Sequence, residues 1–228
     1  MLKTNWELDQ KKFKHLGINH YDLPTNMYDW LKIKSFEAKD KGYDARNRLI
    51  GHIQNEYFIR ANGDIDDLGV DNDQTYLELE KWLSTRSFEK PANMFHDQHY
   101  ILKNNHTLSI NSLWVNFQKK YEFNPPHIHG GIFSFIIFIN VPYDLKDEMK
   151  YFSVGKNGLA THSSRLYFLT ISNLNHHMNG IELVTLDVDK SYEGKILIFP
   201  SILTHGVQPF YTSDDYRVTI SGNLVFDV

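Results

Sequence analysis

Residues 124–144 read NPPHIHGGIFSFIIFINVPYD, and the fold turns on this stretch. Its second half, Ile132 to Val141, is almost wholly apolar and rich in β-branched and aromatic residues. A short run of that kind, bounded by glycines and a proline, reads as a strand covered on both faces. Its first half puts His127 and His129 one residue apart at the mouth of that strand. In an extended chain residues i and i+2 project from the same face, so the two imidazoles point the same way. Pro125-Pro126 stiffens the approach and lowers the entropy cost of holding them. Gly130-Gly131 leaves room for backbone or ligand just behind. One metal ion bonded at about 2 Å can take both rings. By itself, H-x-H also suits two surface histidines on a loop.

Working outward, the chain changes character near residue 107. After it come LSINSLWVNFQ (Leu108 to Gln118), the Ile132–Val141 run, RLYFLTIS (Arg165 to Ser172), IELVTLDV (Ile181 to Val188), KILIFP (Lys195 to Pro200) and RVTISGNLVFDV (Arg217 to Val228). Turn signals separate them at Asn157-Gly158, Asn179-Gly180, Glu193-Gly194 and Ser213 to Asp215. Several short strands at regular spacing predict a β-sandwich or barrel. Before residue 107 the pattern is helical. Met27, Trp30, Leu31 and Ile33 fall near one face, with Phe36 close by. Tyr76, Leu77, Leu79, Trp82 and Leu83 recur at roughly helical spacing behind a candidate cap at Asp73. Leu49 to Ile59 reads as a helix or a covering segment. No linker cuts the chain, so residues 1–106 are expected to pack as a helical, irregular region on a β-core of residues 107–228, one structural domain.

Composition narrows the chemistry. The 228 residues carry a formal net charge of -4 and no cysteine. The charge argues against a nucleic-acid groove, and Lys119-Lys120 reads as a solvated strand end. Without cysteine there are no disulfides, thiolate metal sites or thiol nucleophiles, so a metal must use imidazole and oxygen. MLKTNWELDQKKF lacks the apolar core of a secretory signal, and no apolar run approaches a membrane span. A cytoplasmic protein is expected. The acidic stretch DIDDLGVDND lacks the spacing of a calcium loop.

A third histidine, His205, follows Pro200 by five residues, where the chain can return the ring toward the strand end. Twelve residues later Arg217 opens a strand on which Arg217, Thr219 and Ser221 share a face. A guanidinium fork beside a hydroxyl suits a carboxylate. Each residue alone also suits a loop histidine or a surface ion pair with Asp214 or Asp215. Other histidines offer less. His176-His177 are adjacent and point oppositely on a strand. His96 and His99 have helical metal spacing in a poor helix context, with His106 nearby. His162 beside Ser163-Ser164 lacks a nucleophile elbow, and there is no phosphate-binding Gly-rich loop.

Taken together, LWVNFQKKYEFNPPHIHGGIFSFIIFINVPYD and GKILIFPSILTHGVQPFYTSDDYRVTISGN resemble the Fe(II)- and 2-oxoglutarate-dependent oxygenases. The similarity is to members from marine phages, related to the prolyl-hydroxylase-like group. The likeness implies a mainly β fold with N-terminal helices, its core a double-stranded β-helix of the jelly-roll or cupin-like kind. It implies Fe(II), 2-oxoglutarate and O2 as cofactor and co-substrates, and phage origin would place the protein in host cytoplasm. Carried over, His127 takes the first ligand position, His205 the distal one, and Arg217 with Thr219 the 2-oxoglutarate anchor. Asn116, sharing a strand face with Trp114, is expected to line the same pocket. The chain departs from the usual pattern at His129, where relatives carry a carboxylate. Either three imidazoles hold iron, or one of the pair stands behind the ligands.

The expected activity is hydroxylation of an unknown small-molecule or peptidyl substrate, with release of succinate and CO2. One alternative is a catalytically silent jelly-roll binding protein that keeps the metal site. Another is a cupin-type metal enzyme that does not use 2-oxoglutarate. Homo-oligomerisation is left open by the sequence.

Overall fold

A computed structural model describes residues 4–7, 16–59, 74–87, 107–151, 163–175 and 178–226. The strands are β1 (Asn19–Asp22), β2 (Glu56–Phe58), β3 (Leu108–Gln118), β4 (Asn124–His127), β5 (Phe133–Asn140), β6 (Leu166–Asn175), β7 (Met178–Leu186), β8 (Lys195–Pro200), β9 (His205–Val207) and β10 (Arg217–Phe226). They form a six-stranded sheet, β1-β8-β5-β10-β3-β2, and a four-stranded sheet, β4-β9-β6-β7, with antiparallel pairing. This is the jelly-roll architecture.

Alternation along the strands of the larger sheet builds two cores. Leu113, Val115 and Phe117 of β3 point out, as do Phe133, Phe135, Ile137 and Ile139 of β5 and Val218 and Ile220 of β10. They pack under helices α1 (Thr25–Lys41) and α2 (Gln74–Ser87). Ile136 and Phe138 point in, and with Leu197, Phe199, Phe168, Leu186 and Phe210 they fill the space between the sheets. The β5 run is therefore apolar throughout because both of its faces are covered.

The helices adjust the sequence expectation in detail. Helix α1 buries Met27, Leu31, Ser35 and Ala38, a stripe of near-four-residue spacing. Ile33 and Phe36 fall off it and are 67% and 47% exposed. Gly42 ends the helix at φ 68°, its N–H donating to the carbonyls of Ala38 and Lys39, a conformation glycine adopts freely. Helix α2 buries Tyr76, Leu79 and Leu83, while Leu77 is exposed. Its candidate cap, Asp73, lies outside the described residues, as do Asn157-Gly158, the DIDDLGVDND stretch, and His96, His99, His106, His162, His176 and His177.

One expected turn is corrected. Asn179-Gly180 is not a turn; both residues lie in β7, paired across from Asn173 and Ser172. Leu145–Tyr151 form a further helix, α3, which the sequence reading did not anticipate. Of the two readings of Leu49 to Ile59, helix and covering segment, the second holds: it is irregular cover leading into β2. The four strands without a sequence signal, β1, β2, β4 and β9, have three or four residues each. Strands that short are set by their neighbours rather than by their own propensity.

Inside the roll, Asn223 of β10 ties three strands. Ser134 Oγ of β5 donates to Asn223 Oδ1 at 2.8 Å, and Asn223 Nδ2 donates to Ser112 Oγ of β3 at 3.2 Å. Both serines are register partners of Asn223. Replacing Asn223 with Ala removes both bonds and leaves the Ser134 hydroxyl buried without an acceptor. We expect a loss of about 1–3 kcal/mol, read as a lower urea midpoint at unchanged m-value.

A candidate metal centre and its cavity

The four-stranded sheet brings the three sequence-flagged histidines together. His127 ends β4, His205 opens β9, and the two are direct register partners. His129 lies two residues past His127, beyond the strand, with Ile128 between them 54% exposed. The two rings of the pair converge as the i, i+2 spacing predicts. Gly130-Gly131 follows, and Gly131 adopts φ +95°. A Cβ there would sit 2.8 Å from the Leu224 carbonyl, so the turn back into β5 requires glycine.

The nitrogens are presented in one sense. His127 Nδ1 lies 2.7 Å from the Pro125 carbonyl, and His205 Nδ1 lies 2.9 Å from the Leu203 carbonyl. A carbonyl only accepts, so each Nδ1 carries the proton and each Nε2 has a bare lone pair. His127 Nε2 and His129 Nε2 are 3.2 Å apart. Two donors at about 2.1 Å from one ion and at right angles stand roughly 3.0 Å apart. One nitrogen from each of the three rings falls within a 4.8 Å group. Burial strips the rings of water and keeps them uncharged. It pushes His129 down to about 4, assisted by nearby His127, and His205 down to about 3. His127 is lowered for the same reason, against the opposing bond to Pro125. Neutral imidazoles with converging lone pairs are the donor chemistry a first-row divalent metal takes, so these residues fit an iron ion.

Behind the histidines a cavity, partly open to solvent, runs into the roll. Trp114, Asn116, Gln118, Arg217, Thr219 and Glu56 line it with the triad. All lie on inward positions of β3, β10 and β2. Asn116 is buried, and its Oδ1 finds no hydrogen-bond partner.

Arg217 is 3% exposed, so it is not a surface ion pair; Asp214 pairs instead with Lys120. Its guanidinium is fully engaged. Gln118 Oε1 accepts from Nε and Nη2 at 3.0 and 2.5 Å, Tyr143 Oη and the Ser164 carbonyl accept from Nη1, and the Gln208 carbonyl accepts from Nη2. Sequence reasoning missed these partners, and it missed what braces them. Glu148, fully buried on α3, accepts from the amides of Tyr211 and Thr212 and from the hydroxyls of Thr212 and Ser163. One carboxylate thereby pins the two segments that carry Ser164 and the turn before β10. No local sequence signal marks it.

Glu56 was also missed. It lies within LIGHIQNEYFI, on the inner face of β2, and is 3% exposed. Burial, with Glu122 and Asp44 adding negative charge nearby, pushes its carboxyl up to about 7.

With this geometry in hand, comparison with known proteins is specific. Residues 112–223 match the 2OG-Fe(II) oxygenase family model. The match covers most of the β-core. The matched span contains all three histidines, Asn116, Arg217 and Thr219. Among solved structures, a prolyl-4-hydroxylase from Pseudomonas putida is 10% identical, with a TM-score of 0.56 over 98% of this chain and 100% of that one. A 2OG-Fe(II) family oxidoreductase from Burkholderia pseudomallei is 11% identical, with a TM-score of 0.51 over 98% of this chain and 91% of that one. At such identities the likeness is one of fold. No curated protein matches the chain. No helix among the described residues is long and apolar enough to cross a membrane.

Two predictions follow from the buried carboxyls. Glu56 binds its proton more tightly folded, near pH 7, than unfolded, near 4.5. Its ionisation therefore opposes folding, with no cost below pH 4.5 and the full cost above pH 7. The unfolding free energy of Glu56→Gln relative to the parent should rise by about 1–3 kcal/mol between pH 5 and pH 8, after allowance for solvent screening through the open cavity. Parallel denaturation of both proteins at the two pH values measures it. Glu148→Ala leaves two amides and two hydroxyls without their acceptor, and should cost about 3–5 kcal/mol by the same measurement.

Proposed function

We propose that the protein is a Fe(II)- and 2-oxoglutarate-dependent oxygenase of the hydroxylase type, with His127, His129 and His205 holding the iron. The observation that carries this reading is the facing arrangement within one cavity: three converging imidazole rings at its mouth, with bare Nε2 atoms on His127 and His205, and Arg217 and Thr219 on the wall behind. Iron, 2-oxoglutarate and O2 together supply the oxidising equivalent that hydroxylates a C–H bond, with succinate and CO2 released.

The chain's own part is binding, orientation and exclusion of water. The Pro125 and Leu203 carbonyls fix the tautomers of His127 and His205. Phe168 and Phe199 pack against His205, their ring centroids 5.9 and 4.8 Å from its own, and hold its plane while keeping water off one side. Trp114 stands 5.5 Å from His129. In this reading, Arg217 and Thr219 receive the far carboxylate of 2-oxoglutarate. Gln118 Oε1 bridges the Nε and Nη2 edge that a carboxylate takes bidentately. Binding of the diacid then exchanges a neutral amide oxygen for a charged one, and the guanidinium gains a counter-ion.

Three neutral ligands leave the site one negative charge short of the usual two-histidine, one-carboxylate set. The dianionic co-substrate offsets that deficit, so iron and 2-oxoglutarate should bind with mutual support.

Mixing the protein anaerobically with Fe(II) and 2-oxoglutarate should give a visible charge-transfer band; no band with the parent protein would defeat the reading. Arg217→Ala should keep iron and weaken 2-oxoglutarate roughly 10- to 150-fold, the worth of about 1.5–3 kcal/mol for a charged hydrogen bond. Thr219→Val, a smaller change to the same anchor, should weaken it less. Alanine at His127, His129 or His205 should each lower retained iron, measured by elemental analysis after gel filtration. Equal retention in His129→Ala and the parent would place that ring behind the ligands.

A further inference from the structure

The inner face of the larger sheet carries a polar row of which the iron and the diacid use only the Thr219 end. Register pairs Glu56 of β2 with Asn116 of β3, and Asn116 with Thr219 of β10. Two inter-strand spacings separate Glu56 from Thr219, about 10 Å. The row thus runs from the Arg217 side of the cavity to the edge strand of the sheet.

The Glu56 carboxyl makes no hydrogen bond or ion pair among the described residues, although the residue is only 3% exposed. Burying a carboxyl without a partner is costly. Asn116, 6% exposed, repeats the pattern one strand over, its Oδ1 unpartnered. Asn124, on the cavity wall contributed by β4, also leaves its Oδ1 without a partner. The unmet groups here are all acceptors. Native chains keep few such groups, and those they keep face water or a ligand.

The local charge has one sign. Glu122 and Asp44 both act on Glu56, against Arg46 alone. Arg46 is already paired with Asp44, and Glu122 accepts from the amides of Gln54 and Lys119. No cation within the described chain reaches the carboxyl itself. Leu49, Ile50, Ile53 and Trp114 close the rest of this end of the cavity with apolar surface.

We propose that Glu56 and Asn116 form a substrate subsite for a primary ammonium group, so that the molecule oxidised at the histidine centre carries an amine. A compact cation with three N–H donors meets the acceptors and supplies the missing counter-charge. It also returns Glu56 to its ionised form from the raised value near 7. Only the word substrate rests on the oxygenase reading; the amine subsite itself stands on the unpartnered groups.

The test is isothermal titration of the full-length, metal-free protein in amine-free buffer. The probes are n-butylamine and n-butanol, which share a chain and differ in charge. The amine should bind at least tenfold more tightly than the alcohol. Glu56→Gln should remove that preference while leaving alcohol binding unchanged, and Asn116→Ala should reduce it. Equal affinity for the two probes in the parent, or an amine preference that survives in Glu56→Gln, overturns the proposal. If Glu56→Gln does not fold, as judged by circular dichroism, the parent's amine-to-alcohol ratio and Asn116→Ala decide it: no preference, or one untouched by Asn116→Ala, overturns the proposal. The Fe(II) and 2-oxoglutarate band is recorded alongside. Amine preference without the band sinks the oxygenase reading alone, and the band without amine preference sinks the subsite alone.

Discussion

The structure depends on the pairing of two very short strands. His127 and His205 face each other only because β4 and β9 pair in the register that opposes them. Neither strand has the length or composition to form by itself. Their register is held from outside: β9 also pairs β6, with Phe168 opposite His205, and the Leu169 amide donates to the Thr204 carbonyl. On the other side, the His129 amide donates to the Ser201 carbonyl. A slip of one residue in either pairing would turn a ring to the opposite face and disband the three-nitrogen group. Gly206, next to His205, belongs to the same constraint. A Cβ there would meet the Tyr167 ring and the Asn124 carbonyl, so nothing larger lets β4, β9 and β6 approach this closely.

The larger sheet contributes by alternation. Outward residues of β3, β5 and β10 are apolar and take the helices; inward residues change from apolar to polar along and across the sheet. Toward β8 the inward positions are Leu197 and Phe199, which seal the space between the sheets. Toward β3 and β2 they are Gln118, Asn116 and Glu56, and that space stays open as a cavity. The same period of two that fills one half of the roll empties the other. Buried polar groups in the open half divide into two kinds. Arg217 and Glu148 are saturated with partners, which makes them rigid parts of the wall. Glu56 and Asn116 are not.

This division also marks where the sequence could be read and where it could not. The two long central strands, β3 and β10, and the β5 run were legible because their patterns extend over eight or more residues. The clustered histidines were legible because spacing alone aims His127 and His129 alike, and because the longer motifs resemble a family. Arg217 was legible as a cation on an inward face, but not as a saturated one: Gln118, Tyr143, Ser164 and Gln208 come from four separate places in the chain. Glu148 looked like one acid among several in a polar segment, since nothing local says that its partners lie 15 and 63 residues away. Glu56 sits in a strand of three residues, too short for any periodic signal. Its meaning comes from β2 joining the sheet edge beside β3, a tertiary fact.

The opposed signs at the two ends of the cavity constrain how ligands can enter. Arg217 and Thr219 make one end attractive to a dianion, while Glu56, Glu122 and Asp44 make the other end repel it. Over about 10 Å, in a medium of effective dielectric near 20, unlike placement of a single charge changes its energy by roughly 1–2 kcal/mol. That is enough to orient a diacid with its far carboxylate on β10, and too little to exclude it from the cavity. The histidine group has no net charge of its own, so it adds no competing field until a metal is bound. A chain with a carboxylate at position 129 would lack this neutrality and would itself oppose the entering diacid. With His129, the polarity of the cavity is set by residues on the sheet wall, and the three neutral rings contribute geometry alone.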